Sequence, residues 1–394
     1  MTDIYKLKRI WKTIIVIGMI GLCTFSGMGC ADCKGEASDI NLGVEEISVF
    51  QVMEEAIPPS PTPMPTPTPT PDTSFDITLT FAGDVCFADD CDVMKHYIAL
   101  GEEITKVIDP AIIDKMQNAD LTWINNEFCY SEQGSPLPGK AFTFRADPKR
   151  VHMLEELGVD LAGLANNHVY DYGMNALLDT LSTLTDAGIP YVGAGYNLEE
   201  AMSPYYVEIQ GQKIAFVAAS RAEKFKMTPQ ATQEEAGILR CYEPELFLEE
   251  IRKAKENADF VIAIVHWGTE YSTVLEEVQL STGKEYLDAG ADAIIGGHSH
   301  CLQGFEYYDG KPIAYSLGNF WFNPKTLDSM LVTLRIWGDA NSSRMTMQVT
   351  PALQAYCETR MVEGETALKL YKRLQDISVN VVIDEEGYVW ESVE

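Results

Sequence analysis

From Phe75 onward, short apolar runs alternate with amphipathic stretches. Ile77, Leu79 and Phe81 alternate with Thr78 and Thr80, which predicts a strand ending at Gly83-Asp84. Residues 121–124 predict a second strand, ending at Asn125-Asn126-Glu127, and residues 159–164 a third, ending at Asn166-Asn167-His168. Leu177, Leu178, Leu181 and Leu184 share one helical face that stops near Gly188, with Pro190 beyond. A hairpin over 205–219 turns at Gly211-Gln212, and a helix over 245–257 leads into the apolar strand 260–265, which ends at His266-Trp267-Gly268. A helix over 276–289 precedes a strand at 293–295 and the run Gly296-Gly297-His298-Ser299-His300. A hairpin turning at Asp309-Gly310, strands around 331–336 and 344–349, a helix over 365–375 and a hairpin near Gly387 follow. Strands alternating with helices imply an α/β fold with helices covering a largely buried sheet, in which ligands gather at the carboxyl ends of the strands.

The polar clusters fall at those ends. Of six histidines, His168, His266, His298 and His300 terminate predicted strands, whereas His96 and His152 sit in helical stretches as ordinary surface residues. Singly, Gly-Asp after a strand reads as a turn and Asn as a turn former. In order at successive strand ends, Asp84, Glu127, Asn167, His266, His298 and His300 form a mixed oxygen and nitrogen donor set suited to manganese, zinc or iron. Two such divalent ions can share one bridging carboxylate, and together they can hold an attacking group and a leaving oxygen.

The first 30 residues read differently. Lys6, Lys8, Arg9 and Lys12 precede an apolar stretch over 14–25 and small residues up to Cys30, the pattern of an export signal. Two readings stay open: a lipoprotein lipidated at Cys30, or an uncleaved N-terminal anchor. Residues 31–74 lack periodicity, and from Pro58 to Pro71 proline alternates with Thr, Ser or Met, which favours a polyproline II spacer of roughly 40 Å. The expected organisation is a signal or anchor over 1–30, a tether over 31–74, a metal-binding domain over 75–350, and a helix and hairpin extension of that domain over 351–394. The exported part is then expected outside the cytoplasmic membrane, anchored to a bacterial cell through its N-terminus. With 59 acidic against 29 basic residues, the net charge of −30 excludes a general nucleic-acid binder. Outside the signal and tether region six cysteines remain, Cys86, Cys91, Cys129, Cys241, Cys301 and Cys357, and their spacing does not choose a pairing.

The order Gly-Asp, Asn-His, lone His and Gly-His-x-His resembles the calcineurin-like metallophosphoesterase superfamily. Within it, Leu164-Ala165-Asn166-Asn167-His168-Val169-Tyr170-Asp171-Tyr172-Gly173, His266-Trp267-Gly268-Thr269-Glu270-Tyr271, Gly297-His298-Ser299-His300 and Tyr315-Ser316-Leu317-Gly318-Asn319-Phe320 resemble the CapA family of poly-gamma-glutamate capsule synthesis proteins. The resemblance implies a layered α/β/β/α sandwich with its metal site at strand ends. It makes Asp84 the first ligand and Glu127 the bridging carboxylate, with Asn167, His266, His298 and His300 completing the shell. His168 becomes the general acid or a contact to an anionic substrate, oriented by Asp171, while Asn166, Glu270 and Asn319 line the cleft. Cys86 departs from the superfamily, which places His there; a Cys86 to Cys129 bridge across adjacent strand ends is one expected staple. The implied function is synthesis, export or attachment of an anionic capsule polymer such as poly-gamma-glutamate, with a metal-dependent hydrolase site and with membrane-embedded synthase components as partners. A metal-dependent phosphoesterase, acting on phosphoesters, or an envelope hydrolase, unrelated to capsule, is an alternative. So is a non-catalytic scaffold, with Arg145, Lys149 and Arg150 as groove cations.

Overall fold

The computed structural model describes residues 73–223 and 227–392; the predicted export segment, Cys30 and the proline run lie outside the described residues. Two sheets form the centre. The larger runs in the order Val381–Ile383, Tyr388–Glu391, Ser343–Ala355, Leu327–Gly338, Phe75–Val85, Leu121–Asn126, Leu161–Gly163, Tyr191–Val192. The smaller runs Leu302–Tyr308, Lys311–Leu317, Ala293–His298, Phe260–Trp267, Gln212–Ser220, Tyr205–Ile209. Period-2 patterning explains how they stack: Ile77, Leu79 and Phe81 of one sheet and Phe216, Ile262, Ile264 and Ile295 of the other share one buried cluster. Across it the Phe81 and Phe216 rings stand 6.4 Å apart.

The outer faces are covered by helices. Met174–Asp186 buries Leu177, Leu181 and Leu184 against the larger sheet, and Glu245–Asn257 buries Phe247, Ile251 and Ala254 against the smaller. Phe260–Trp267 is buried along its whole length because it pairs in parallel with a neighbour on each side and is covered on both faces. The result is the expected layered α/β/β/α sandwich. Among the described residues, no helix is long and apolar enough to cross a membrane.

Several local expectations change. The third strand is only Leu161–Gly163: Gly158 ends the preceding helix in a left-handed conformation, and Val159 and Asp160 serve as its connection. The first hairpin turns one residue early, at Gln210-Gly211, where φ values of 51° and 79° suit a two-residue hairpin turn. The strand Asn319–Trp321, too short to show a period, pairs beside Asp84. The boundary drawn at residue 350 falls inside the strand Ser343–Ala355, onto which the last hairpin pairs. The six described cysteines are free. Cys129 Sγ donates to Phe144 O instead of bridging to Cys86, and the turn in which Cys91 N–H donates to Ala88 O brings Cys91 Sγ within 3.4 Å of Cys86 Sγ.

Candidate metal centre

The parallel strands of both sheets end on one edge, and backbone irregularities there aim the side chains. The register between Phe75–Val85 and Leu121–Asn126 slips between Ala82 and Asp84, a bulge that re-aims Asp84. Gly297 permits the close approach of the second sheet, since a Cβ there would sit 3.2 Å from Asp84 Oδ1 and 3.6 Å from His266 Nδ1. His298 and His300 both take positive φ, 90° and 54°, uncommon for a side chain with a ring and typical of residues held for function.

Two buried ligand groups result: Glu127 with His266 and His298, and Asp84 with Glu127 and His300. Glu127 belongs to both. Its Oε1 lies 3.4 Å from His266 Nε2 and 3.9 Å from His300 Nε2, yet accepts no hydrogen bond. His266 Nε2 also lies 2.8 Å from Asn167 Oδ1 and 3.1 Å from His298 Nδ1. On the other side, His300 Nδ1 lies 3.1 Å from Asp84 Oδ2. A buried carboxylate oxygen with no donor, facing imidazole nitrogens from two directions, fits a bridging ligand of divalent cations.

The electrostatics agree with that fit. Burial pushes the Glu127 carboxyl well above the usual range, and the negative charge of Asp84 adds to the push. For Asp84 burial acts in the same upward direction, but the hydrogen bond and charge of His300, with the bond from Asn125, reverse it and leave the group below its ordinary value. Burial holds His266 and His298 well below the usual imidazole value, so both are neutral, the form that ligates a metal.

His168 stands outside both groups, its Nε2 4.0 Å from Glu127 Oε1. Its Nδ1 lies 2.7 Å from Asp171 Oδ2; a carboxylate only accepts, so Nδ1 carries the proton and Nε2 faces the centre. Asp171 also accepts from Phe144 N–H at 2.7 Å and pairs with buried Lys140 Nζ at 2.7 Å. Lys140 in turn meets Glu223 at 2.8 Å and donates to Asn167 O.

The three residues expected to line the cleft divide. Glu270 is exposed on the loop after His266, with its charge felt at Glu127 and His300. Asn166 does not line it: fully buried, it donates to Asn125 Oδ1 and Asn126 O and accepts from His168 N–H and Val169 N–H, which consumes its polar atoms in holding the loop. Asn319 is equally buried, with Oδ1 2.9 Å from His300 Nδ1, so it touches a ligand instead of the cleft. Cys86 is in neither ligand group, and burial and the neighbouring Cys91 keep its thiol well above its usual value. Of the expected groove cations, Lys149 pairs with Asp147, and Arg150 with Asp89 and Glu102.

Sequence reasoning missed Asn125, Lys140 and the aromatic wall. Asn125 Nδ2 donates to both Asp84 and Glu127, and its place at a strand end was the available signal. Phe144 packs 4.6 Å from the His168 ring, Phe322 4.6 Å from the His300 ring, and the two phenyl rings meet at 5.2 Å.

The capsule biosynthesis protein CapA of Bacillus anthracis is 38% identical over 194 residues, 48% of this chain and 46% of that protein. The PGA biosynthesis protein CapA of Bacillus subtilis (strain 168) is 34% identical over 197 residues, 49% of this chain and 51% of that one. The chain thus spans about half the length of the curated relatives it matches. Among solved structures, the 5'-nucleotidase of Candida albicans SC5314 aligns with 70% of this chain and 52% of that one, at 13% identity and a TM-score of 0.37. The family described as bacterial capsule synthesis protein PGA_cap matches residues 78–324, and the chain belongs to that family.

Proposed function

We propose that this chain acts in the synthesis, export or attachment of poly-gamma-glutamate, as a metal-dependent hydrolase held outside the cytoplasmic membrane by its N-terminal segment and working beside membrane-embedded synthase components. The observation that carries the catalytic part is Glu127, common to two ligand groups and with its Oε1 free of any hydrogen-bond donor, while His168 stands outside both. The polymer is suggested by the names of the two Bacillus relatives, and the location by the basic and apolar pattern of residues 1–30.

Divalent cations held by Asp84, Glu127, Asn167, His266, His298 and His300 would supply Lewis acidity at the bond to be broken. Around them this chain's own groups do the rest. Asp171 fixes the His168 ring through Nδ1, so Nε2 is the atom that exchanges a proton with a leaving group over the centre. Phe144 and Phe322 exclude water along one wall.

The test is metal analysis of the purified full chain, with turnover followed on an aryl phosphate and on poly-gamma-glutamate in parallel. Bound divalent metal, and turnover of the polymer that disappears in His298→Ala and His300→Ala, is expected. A protein that binds no metal and loses nothing in those variants has no catalytic centre here.

A further inference from the structure

The loop after His266 and the loop after Asn319–Trp321 meet beside His300. Tyr271 is 44% exposed, yet its backbone takes a φ of 57°, the left-handed region that a bulky side chain adopts under constraint. Its N–H donates to Ser299 O at 2.6 Å, and its ring stands 5.8 Å from the His300 ring. Over that same ring, 3.5 Å from its centroid, lies Lys325 Nζ, a cation–π contact.

Lys325 is exposed, but the backbone that carries it is held in place. Fully buried Gln354 clamps its loop, with Oε1 accepting from Phe322 N–H at 2.9 Å and Nε2 donating at 3.1 Å both to Asn323 Oδ1 and to Lys325 O. The lysine is not neutralised. Lys284, Lys369 and Lys372 pair with acidic side chains, and Lys140 sits between Asp171 and Glu223, whereas Lys325 has no carboxylate partner among the described residues. A chain of net charge −30 repels anions over most of its surface, so an uncompensated cation fixed one ring away from a metal ligand is a local exception.

We propose that Lys325 and Tyr271 form a carboxylate-binding subsite on the His300 side of the metal centre, which takes a free carboxylate of an acidic polymer while the bond to be broken lies over the ligand groups. The ammonium keeps donors directed away from the ring face for the carboxylate, and the exposed part of Tyr271 covers the polymer's methylenes. The subsite rests on the proposed function, since it names the part of the substrate that this site would recognise.

The experiment measures binding of a fluorescein-labelled oligo-gamma-glutamate to the manganese-loaded full chain by anisotropy, with metal content checked for every variant. Lys325→Glu is expected to weaken binding roughly fivefold, the scale of reversing one exposed charge, with manganese content unchanged. Lys325→Arg keeps the affinity, Tyr271→Leu lowers it, and Lys372→Glu, with the same change in net charge elsewhere, leaves it alone. If the wild type binds the oligomer and Lys325→Glu stays within twofold, the subsite is overturned and the proposed function stands. If the wild type ignores the oligomer but binds inorganic phosphate through Lys325, the carboxylate assignment and the polymer reading both fall.

Discussion

Asp84 and Glu127 are tied together by one nitrogen: Asn125 Nδ2 donates to Asp84 Oδ1 at 2.7 Å and to Glu127 Oε2 at 3.0 Å. Two buried carboxylates repel each other, and a shared neutral donor sets their separation without consuming Glu127 Oε1. The Asn125 amide is itself oriented by Asn166, which donates to its Oδ1 at 3.1 Å. Asn125→Ala is therefore expected to weaken divalent-metal affinity about tenfold to a hundredfold, the usual effect of losing a group that orients ligands. Chelator-competition titration with manganese measures it. Cys86→Ser is the contrast and should leave affinity unchanged, because Cys86 is in neither group. A Cys86 variant that binds metal more weakly than Asn125→Ala would reverse this assignment.

Metal should stabilise the protein, and more so as pH rises. Without metal, burial and then the charge of Asp84 raise the Glu127 carboxyl well above its ordinary value. A carboxyl raised on folding contributes stability in acid that is lost as pH climbs through the raised value. A bound cation favours the ionised form and offsets that loss. Thermal unfolding of manganese-loaded and chelated protein should therefore diverge with increasing pH. At a metal concentration of about 100 times Kd, the difference is about 2.7 kcal/mol, a shift of several degrees. A gap that narrows between mildly acidic and mildly alkaline buffer would show that Glu127 is not the group that metal relieves.

The donor set was legible because its members obey one rule, polar residues at the ends of apolar strands, and each end carries a distinctive cluster such as Asn166-Asn167-His168 or Gly297-His298-Ser299-His300. Asn125 obeys the same rule but was passed over beside the more obvious Glu127. Lys140 was invisible for a different reason. It lies in a polar stretch rich in proline and glycine, where nothing local signals that a lysine is buried between two acids from distant loops. Asn166 and Asn319 were misassigned because sequence shows which residues reach the site, not whether their polar atoms are already spent on backbone and ligand. The Cys86 partner was missed because pairing was judged from neighbouring strand ends, while the chain turns back on itself after Ala88.

His168 separates chemistry from metal binding. It reaches Glu127 Oε1 at 4.0 Å but belongs to neither ligand group. On the hydrolase reading, His168→Asn should lower kcat by about two to four orders of magnitude, the range for losing a general acid, with full metal content. Turnover on the better of the two test substrates and metal analysis on the same sample decide it. A variant that loses metal in proportion to activity would make His168 a ligand.

Lys140 provides the sharpest stability test. Its side chain is 7% exposed and lies 2.7 Å from fully buried Asp171 and 2.8 Å from Glu223. Removing one partner of a buried ion pair leaves the other charge without compensation, which costs about 3–5 kcal/mol. Lys140→Met is therefore expected to lower the urea midpoint by that amount in free energy. Much of the cost comes from the stranded acids, so adding Glu223→Gln to Lys140→Met should recover part of it, whereas Glu223→Gln alone leaves Asp171 paired and is milder. The double-mutant cycle isolates the coupling. Simple additivity would mean that Lys140 acts through Asp171 and the Asn167 carbonyl alone. A Lys140→Met effect below about 1 kcal/mol, the scale of an exposed pair, would mean that water reaches the cluster and that it does not hold the His168 loop.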